Sequence, residues 1–158
     1  RVAPQKGVDR VVEISYALSA MNLNARIRWV GGGTIELEHR LRDSGVEVTG
    51  WLSHPDALQA LVDSDVYLHA ALWEGFPVGL LEATQLGLPS AVIDAAYASY
   101  LPPAMRVSVE EAPLLMRRLA ESVEERLALL ETGKKAFEHN DRASQVVQLN
   151  GLYESVLA

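Results

Sequence analysis

Short apolar runs that stop at glycine or proline alternate along this chain with longer stretches whose apolar residues recur every three to four positions. Such an alternation specifies a parallel sheet covered by helices, because every return to a parallel strand needs a helix-sized crossover. Strands are expected at 25–30, 46–51, 66–70 and 90–93. The first helix is expected to start with Asp9 as its cap and to run to about Met21, and the second to end near Ser44 before Gly45. A third opens at Ser53 and should bury Leu58, Leu61 and Val62, and a fourth takes Pro77 into its first turn and ends near Leu86. From Ser108 the pattern is helical, with Ser-x-x-Glu capping spacings starting at Ser108 and Ser122 and a final amphipathic stretch at 152–157. The fold class is therefore α/β: a doubly wound, Rossmann-like parallel sheet with helices on both faces, forming one domain over 1–158.

Composition closes several functional routes. The chain is 49% hydrophobic and 22% charged, the balance of a sequence that buries a core rather than staying disordered. It has no cysteine, which removes disulfides, thiolate metal sites and thiol nucleophiles together. Fourteen Lys and Arg face 21 Asp and Glu, a formal charge of −7, so no basic field draws in a polyanion and nucleic acid is not an expected partner. No apolar run approaches the roughly 18 residues of a membrane span, and 1–6 show neither a signal nor a transit pattern. The expectation is a segment without a membrane span, acting in the cytoplasm, with peripheral membrane association through a further domain left open.

Residues 1–7 read as a loop at the carboxyl end of a strand, feeding a helix; the strand itself is expected upstream, within a larger protein. Ligands of open parallel sheets bind at the carboxyl ends of strands, so the loops there hold the candidate residues. Arg1 and Lys6 would neutralise a diphosphate, most of all as it leaves with added charge. Gly31 and Gly32, in the turn after the next strand, would let a base or phosphate approach the backbone. Glu74 and Glu82 flank Gly75, Phe76, Pro77, Val78 and Gly79, where a helix start offers unpaired N–H groups and partial positive charge to an anion. Glu82 lies roughly 7–8 Å along the axis from Pro77 at ~1.5 Å per residue, so the two carboxylates can hold opposite ends of one ligand. A nucleotide-diphosphate sugar has that layout.

These residues carry a family resemblance. The opening Arg1-Val2-Ala3-Pro4-Gln5-Lys6-Gly7-Val8-Asp9, the Val30-Gly31-Gly32-Gly33 turn, Val48-Thr49-Gly50-Trp51, Ser64-Asp65-Val66-Tyr67-Leu68 and the run from Trp73-Glu74-Gly75-Phe76-Pro77 through Glu82-Ala83 to Gly87-Leu88-Pro89 resemble the C-terminal, donor-binding domain of retaining GT-B glycosyltransferases of the family-4 or group 1 type. The closing 152–157 fits as well. The resemblance implies the second half of a GT-B fold and transfer of a sugar from a UDP-, GDP- or ADP-linked donor with retention, without metal or cofactor. It implies diphosphate contacts from Arg1 and Lys6, sugar contacts from Glu74 and the backbone after it, and ribose contacts from Glu82. It also implies a partner, the chain's own N-terminal acceptor domain, without which this domain binds donor but does not turn over. The sequence departs from the pattern at Ala70-Ala71, where a Pro-Ser pair is usual, and at 94–103, where a glycine-rich loop is usual.

Other features have plainer readings. Asp63 and Asp65 imitate a metal-binding Asp-x-Asp but precede their strand, at the wrong end for a site, and read as helix termination and turn. His39, His54 and His139 read as surface residues, His69 as a strand-end residue with a minor claim on the cleft, and Trp51 as a packed aromatic, with the border of a base pocket as its alternative. The glycine triplet lacks the third glycine of a dinucleotide fingerprint, which disfavours a dehydrogenase. Two rival classes stay open on the sequence: a non-catalytic nucleotide-sugar-binding module, and a receiver-like interaction domain, for which only Asp94 offers a strand-end acid.

Overall fold

A computed structural model describes residues 1–138, 140 and 146–147; His139 and the closing stretch at 152–157 lie outside the described residues. The chain enters through a 3₁₀ turn, Pro4–Lys6, that passes directly into α1, Val8–Ala20. The junction is Gly7, in the left-handed region at φ 80°, so α1 begins one residue before Asp9 and without a side-chain cap. Only glycine serves here, since a Cβ would lie 2.0 Å from the Ala70 carbonyl oxygen. α1 buries Val8, Val11, Ile14 and Leu18, the three-to-four spacing that the sequence shows.

The strands are shorter than expected: β1 Arg28–Trp29, β2 Glu47–Val48, β3 Tyr67–His69, β4 Ser90–Ile93 and β5 Arg106–Val107. Between them lie α2 (Ile35–Asp43), α3 (His54–Val62) and α4 (Val78–Gln85), and after them α5 (Ala112–Glu121) and α6 (Val123–Ala136). Ser53 caps α3 by accepting from Asp56 N–H at 3.3 Å, and Ser122 caps α6 by accepting from Glu125 N–H at 3.1 Å. At the approach to α5, Ser108 and Glu111 exchange hydrogen bonds reciprocally. β5 was not expected; it lies beyond a 3₁₀ turn at Pro103–Met105 and pairs through only two residues.

All strand pairs are parallel, in two groups: β1 with β2, and β3-β4-β5 in that order. Helices cover the sheets, α4 and α6 packing on β4 and α1 contacting both α2 and α5. β4 is buried along its whole length, as the central member of a parallel sheet should be. A cavity of about 1610 Å³ is lined by both β1 and β3 and extends from the residues before these strands to Arg1, Lys6 and Glu74 at the carboxyl rim. The first residues of the chain enter its mouth, where Val2 bridges Gly33 in parallel and donates its N–H to Gly32 O at 2.8 Å.

The cavity explains why α3 leaves Leu58 and Leu61, two of the three side chains expected inside, only half-buried. Both line it; Val62 is 53% exposed, and only Ala60 of this helix is buried. An apolar stripe is only as buried as the surface it faces.

Candidate functional site

The site is built where the first loop meets the segment that follows β3. Leu72 N–H donates to Gln5 O at 2.8 Å, Gln5 Nε2 donates to Trp73 O at 2.6 Å, and the Arg10 guanidinium donates to Ala71 O at 3.0 Å. These bonds clamp the loop onto 70–73 and leave Lys6 and Glu74 facing one another. The Lys6 ammonium is bonded to Glu74 Oε1, and the carboxylate side chain is only 12% exposed. Arg1 does not join them: it is exposed, and its guanidinium reaches Gln5 Oε1 at 3.4 Å.

Beside this pair begins α4. Pro77, expected in the first turn, is instead its N-cap, at φ −81°, ψ 77°. It has no N–H to offer, and its carbonyl accepts from Leu80 and Leu81 at 2.9 and 3.2 Å. The Val78 N–H is used locally, donating to Phe76 O at 3.0 Å, while among the described residues the N–H groups of Gly75, Phe76 and Gly79 have no backbone acceptor. An anion arriving here would therefore meet those three amides rather than that of Val78. Gly79 sits on Tyr67: a Cβ would lie 2.8 Å from the phenolic oxygen, so a side chain here would displace the phenol.

Glu82, one turn into α4, is half-buried, and its Oε1 lies 3.7 Å from His54 Nε2 at the start of α3. His54 is an exposed residue, as expected, and stands beside Glu82 from the surface. Arg1, Lys6, Glu74, Phe76, Val78, Gly79 and Glu82 all line the cavity, whereas Gly31, Gly32, Gly75 and Pro77 do not. Gly31 and Gly32 occupy the neighbouring rim, where Gly31 N–H donates to Thr49 Oγ1 at 3.0 Å and Gly32 backs onto the Trp51 ring. Trp51 is 71% exposed, so it stands at the rim rather than packing inside as expected.

Behind Glu74 lies a polar group that sequence reasoning largely missed. His69, 8% exposed at the end of β3, faces Glu74 Oε1 through Nε2 at 3.7 Å and meets the Tyr67 hydroxyl through Nδ1 at 2.9 Å. Burial lowers its pKa to about 4, against the opposing pull of Glu74, so the ring is neutral at pH 7. Burial and the nearby carboxylates push the Tyr67 hydroxyl well above its ordinary range, so it remains a donor. Tyr97, delivered by the 3₁₀ turn Ala96–Ala98 of the divergent segment, meets the imidazole edge-on at 6.2 Å between centroids; burial and Glu74 raise its pKa to about 12. His69 Nε2 and the Tyr97 hydroxyl are buried without a hydrogen-bond partner among the described residues. The sequence signal that could have found them is two ring side chains with polar tips at or just past the carboxyl ends of adjacent parallel strands.

Among the described residues no three His, Asp or Glu side chains gather as a metal site. Asp63 accepts from Gln59 Nε2 at 2.9 Å, at the amino end of β3 and away from the rim. No helix of the described residues is long and apolar enough to cross a membrane. Asp94, the one acid of the receiver-like reading, lies 3.3 Å from the Arg106 guanidinium.

Comparison with known proteins agrees with this architecture. The structure superposes on TarM with a TM-score of 0.72 at 16% identity, covering 97% of this chain and 33% of that one. The catalytic domain of cholesterol-alpha-glucosyltransferase from Helicobacter pylori matches with a TM-score of 0.66 at 17% identity, covering 86% of this chain and 92% of that one. The pneumococcal O-GlcNAc transferase GtfA, solved with UDP and GlcNAc, matches with a TM-score of 0.65 at 18% identity over 94% of this chain and 34% of that one. This chain thus spans about a third of TarM and of GtfA, and at these identities the likeness is one of fold. No curated protein matches it by sequence. The family described as glycosyl transferases group 1 matches residues 1–131, five-sixths of the chain, in one continuous stretch that contains the whole rim, and the protein belongs to that family.

Proposed function

We propose that this domain binds a nucleotide-diphosphate sugar at its carboxyl rim and, joined to an N-terminal acceptor domain, transfers the sugar with retention of anomeric configuration. The observation that carries the reading is the Lys6–Glu74 contact beside the three unpartnered amides at the start of α4. Lys6 supplies a cation for the diphosphate and stabilises it as it leaves; the amides of Gly75, Phe76 and Gly79 add fixed donors that need no reorganisation. Glu74 accepts from a sugar hydroxyl and Glu82 from the ribose, while Arg1 swings from Gln5 to the diphosphate. Gly31, Gly32 and Trp51 flank the base. The presence of UDP and GlcNAc in the GtfA complex supports the donor class. Lys6, Arg1 and the amides at the start of α4 all meet the diphosphate, and binding is proposed to be metal-independent.

We further infer that the cavity between β1 and β3 seats a strand leading into Arg1. The Val2–Gly32 hydrogen bond is the top rung of such a ladder, and one parallel strand there would join the two groups into the order 3-2-1-4-5-6 of a doubly wound sheet.

Calorimetry with UDP, GDP and ADP, each with and without its sugar, in EDTA and against Glu82→Ala, tests the site. One base should be preferred, with binding at least tenfold weaker in the variant. Equal, feeble binding of all three by the wild type and by the variant would return the rim to scaffold.

A further inference from the structure

Glu74 Oε1 has two neighbours of different kinds, the Lys6 ammonium bonded to it and the His69 imidazole standing 3.7 Å away. The second distance is too long for a hydrogen bond and too short to be indifferent. Its chemistry follows from Tyr67. Nδ1 lies 2.9 Å from the phenolic oxygen. If Tyr67 donates to Nδ1, the ring proton sits on Nε2 and points at the carboxylate; the other tautomer would set a lone pair against a negative oxygen. The favourable tautomer makes His69 an uncharged donor aimed at Glu74. Gly79 brings α4 into contact with the same phenol, so the start of α4, Tyr67, His69 and Glu74 form one chain of contacts.

We propose that His69 is a positioning residue for Glu74: when Lys6 turns toward the donor diphosphate, the imidazole closes onto Oε1 and keeps the other carboxylate oxygen aimed at a sugar hydroxyl. This rests on the reading of the rim as a nucleotide-diphosphate-sugar site and adds a residue to it. Lys6 alone fits the role poorly, because a cation shared between carboxylate and diphosphate moves as charge develops on the leaving group. A donor anchored by Tyr67 and walled by Tyr97 does not follow it. The groups facing the ring are Lys6 from the first loop, Glu74 from the segment before α4, Tyr67 on its own strand and Tyr97 from the turn after β4; its lowered pKa keeps it uncharged among them.

The test compares binding of UDP with UDP-glucose and UDP-N-acetylglucosamine, GDP with GDP-mannose, and ADP with ADP-glucose, in wild type, His69→Gln, His69→Leu and Tyr67→Phe. The gain in affinity contributed by the sugar is the readout, with thermal melting of each variant alongside. His69→Leu should lose that gain by about tenfold with nucleoside-diphosphate affinity unchanged. Glutamine, whose amide N–H reaches the position of Nε2–H, should restore most of it, and Tyr67→Phe should fall between. Equal loss in the Gln and Leu variants, or a parallel loss for diphosphate and diphosphate-sugar, would assign His69 to packing and overturn the proposal. A wild type that binds the diphosphate but gains nothing from any sugar overturns it too, leaving the diphosphate reading intact; a wild type that binds no nucleotide overturns that reading first.

Discussion

β4 and β1 are both strands of parallel ladders, yet Ser90–Ile93 are all buried while in β1 Arg28 is exposed and Trp29 half-buried. The difference is neighbours: β4 pairs with β3 and β5, and β1 pairs with β2 alone, its other edge opening on the cavity. The same contrast divides the candidate site. Lys6, Glu74, His69 and the start of α4 are held by the three-stranded half and the clamped first loop, whereas Gly31, Gly32 and Trp51 ride on the two-stranded half. A parallel strand is stabilised by apolar surface on both faces and hydrogen bonds on both edges, so removing one edge weakens everything carried beyond it.

The sharpest way to break the comparison is truncation in each half. Ile93→Ala removes a fully buried side chain next to α6 and β5 and should cost about 3–4 kcal/mol; Ile27→Ala, at the cavity edge, should cost about 1 kcal/mol. Urea unfolding curves with constant m-values measure both. Similar costs would mean that the cavity is closed in solution.

The next effect comes from acid. His69 has its pKa lowered from 6.5 to about 4 in the folded state, so the neutral ring belongs to the native structure. Its contribution is fully present above pH 6.5, declines as pH falls from 6.5 toward 4, and is flat below that, where native and unfolded chains are both protonated. The loss across the window amounts to about 3 kcal/mol at most. Carboxylates add their own acid dependence, so the measurement is the difference between wild type and His69→Gln in urea midpoints from pH 7 to 4. Parallel profiles would show a ring that titrates as if exposed.

A gain of about 2 kcal/mol is expected from completing the sheet. A fused segment of about five Val and Ile residues before Arg1 would span the cavity edge of β1, and each buried side chain contributes about 1.5–3 kcal/mol against roughly 1–2 kcal/mol of backbone ordering. A Gly-Ser extension of equal length is the control. Urea midpoints that do not separate the two extensions, or an apolar extension that only dimerises the protein, would mean that the cavity is not a strand seat.

Much of this was legible in the sequence, for physical reasons that also mark where legibility ended. Ser90–Ile93 and α4 were readable because a strand buried on both faces is a continuous apolar run, and because Gly87, at φ 86°, stops the helix where glycine is needed. Lys6 and Glu74 were readable because loop position alone puts them on the rim. The start of α1 was misjudged because Gly7 answers to Ala70, sixty-three residues away, and not to its neighbours. Val62 and Trp51 were misjudged because periodicity reports which side chains are apolar and says nothing of whether a surface stands opposite. The His69 and Tyr97 contacts depend on strand register and on a divergent turn, and neither leaves a local pattern.

The smallest effect tests the link between the halves of the site. Gly79→Ala adds a methyl group that would meet the Tyr67 hydroxyl at 2.8 Å, and the phenol must give way because the backbone of α4 cannot. Alanine also favours the helix by up to about 1 kcal/mol, which offsets most of the steric cost, so stability should change by less than about 1 kcal/mol. The displaced hydroxyl no longer holds Nδ1 of His69, so the imidazole loses the partner that fixes its tautomer. Melting should therefore stay near wild type while the sugar-dependent part of donor affinity drops severalfold. If melting falls instead and the sugar contribution survives, Tyr67 serves the packing of α4 on β3, and the aim of Glu74 is set by Lys6 and the clamped loop alone.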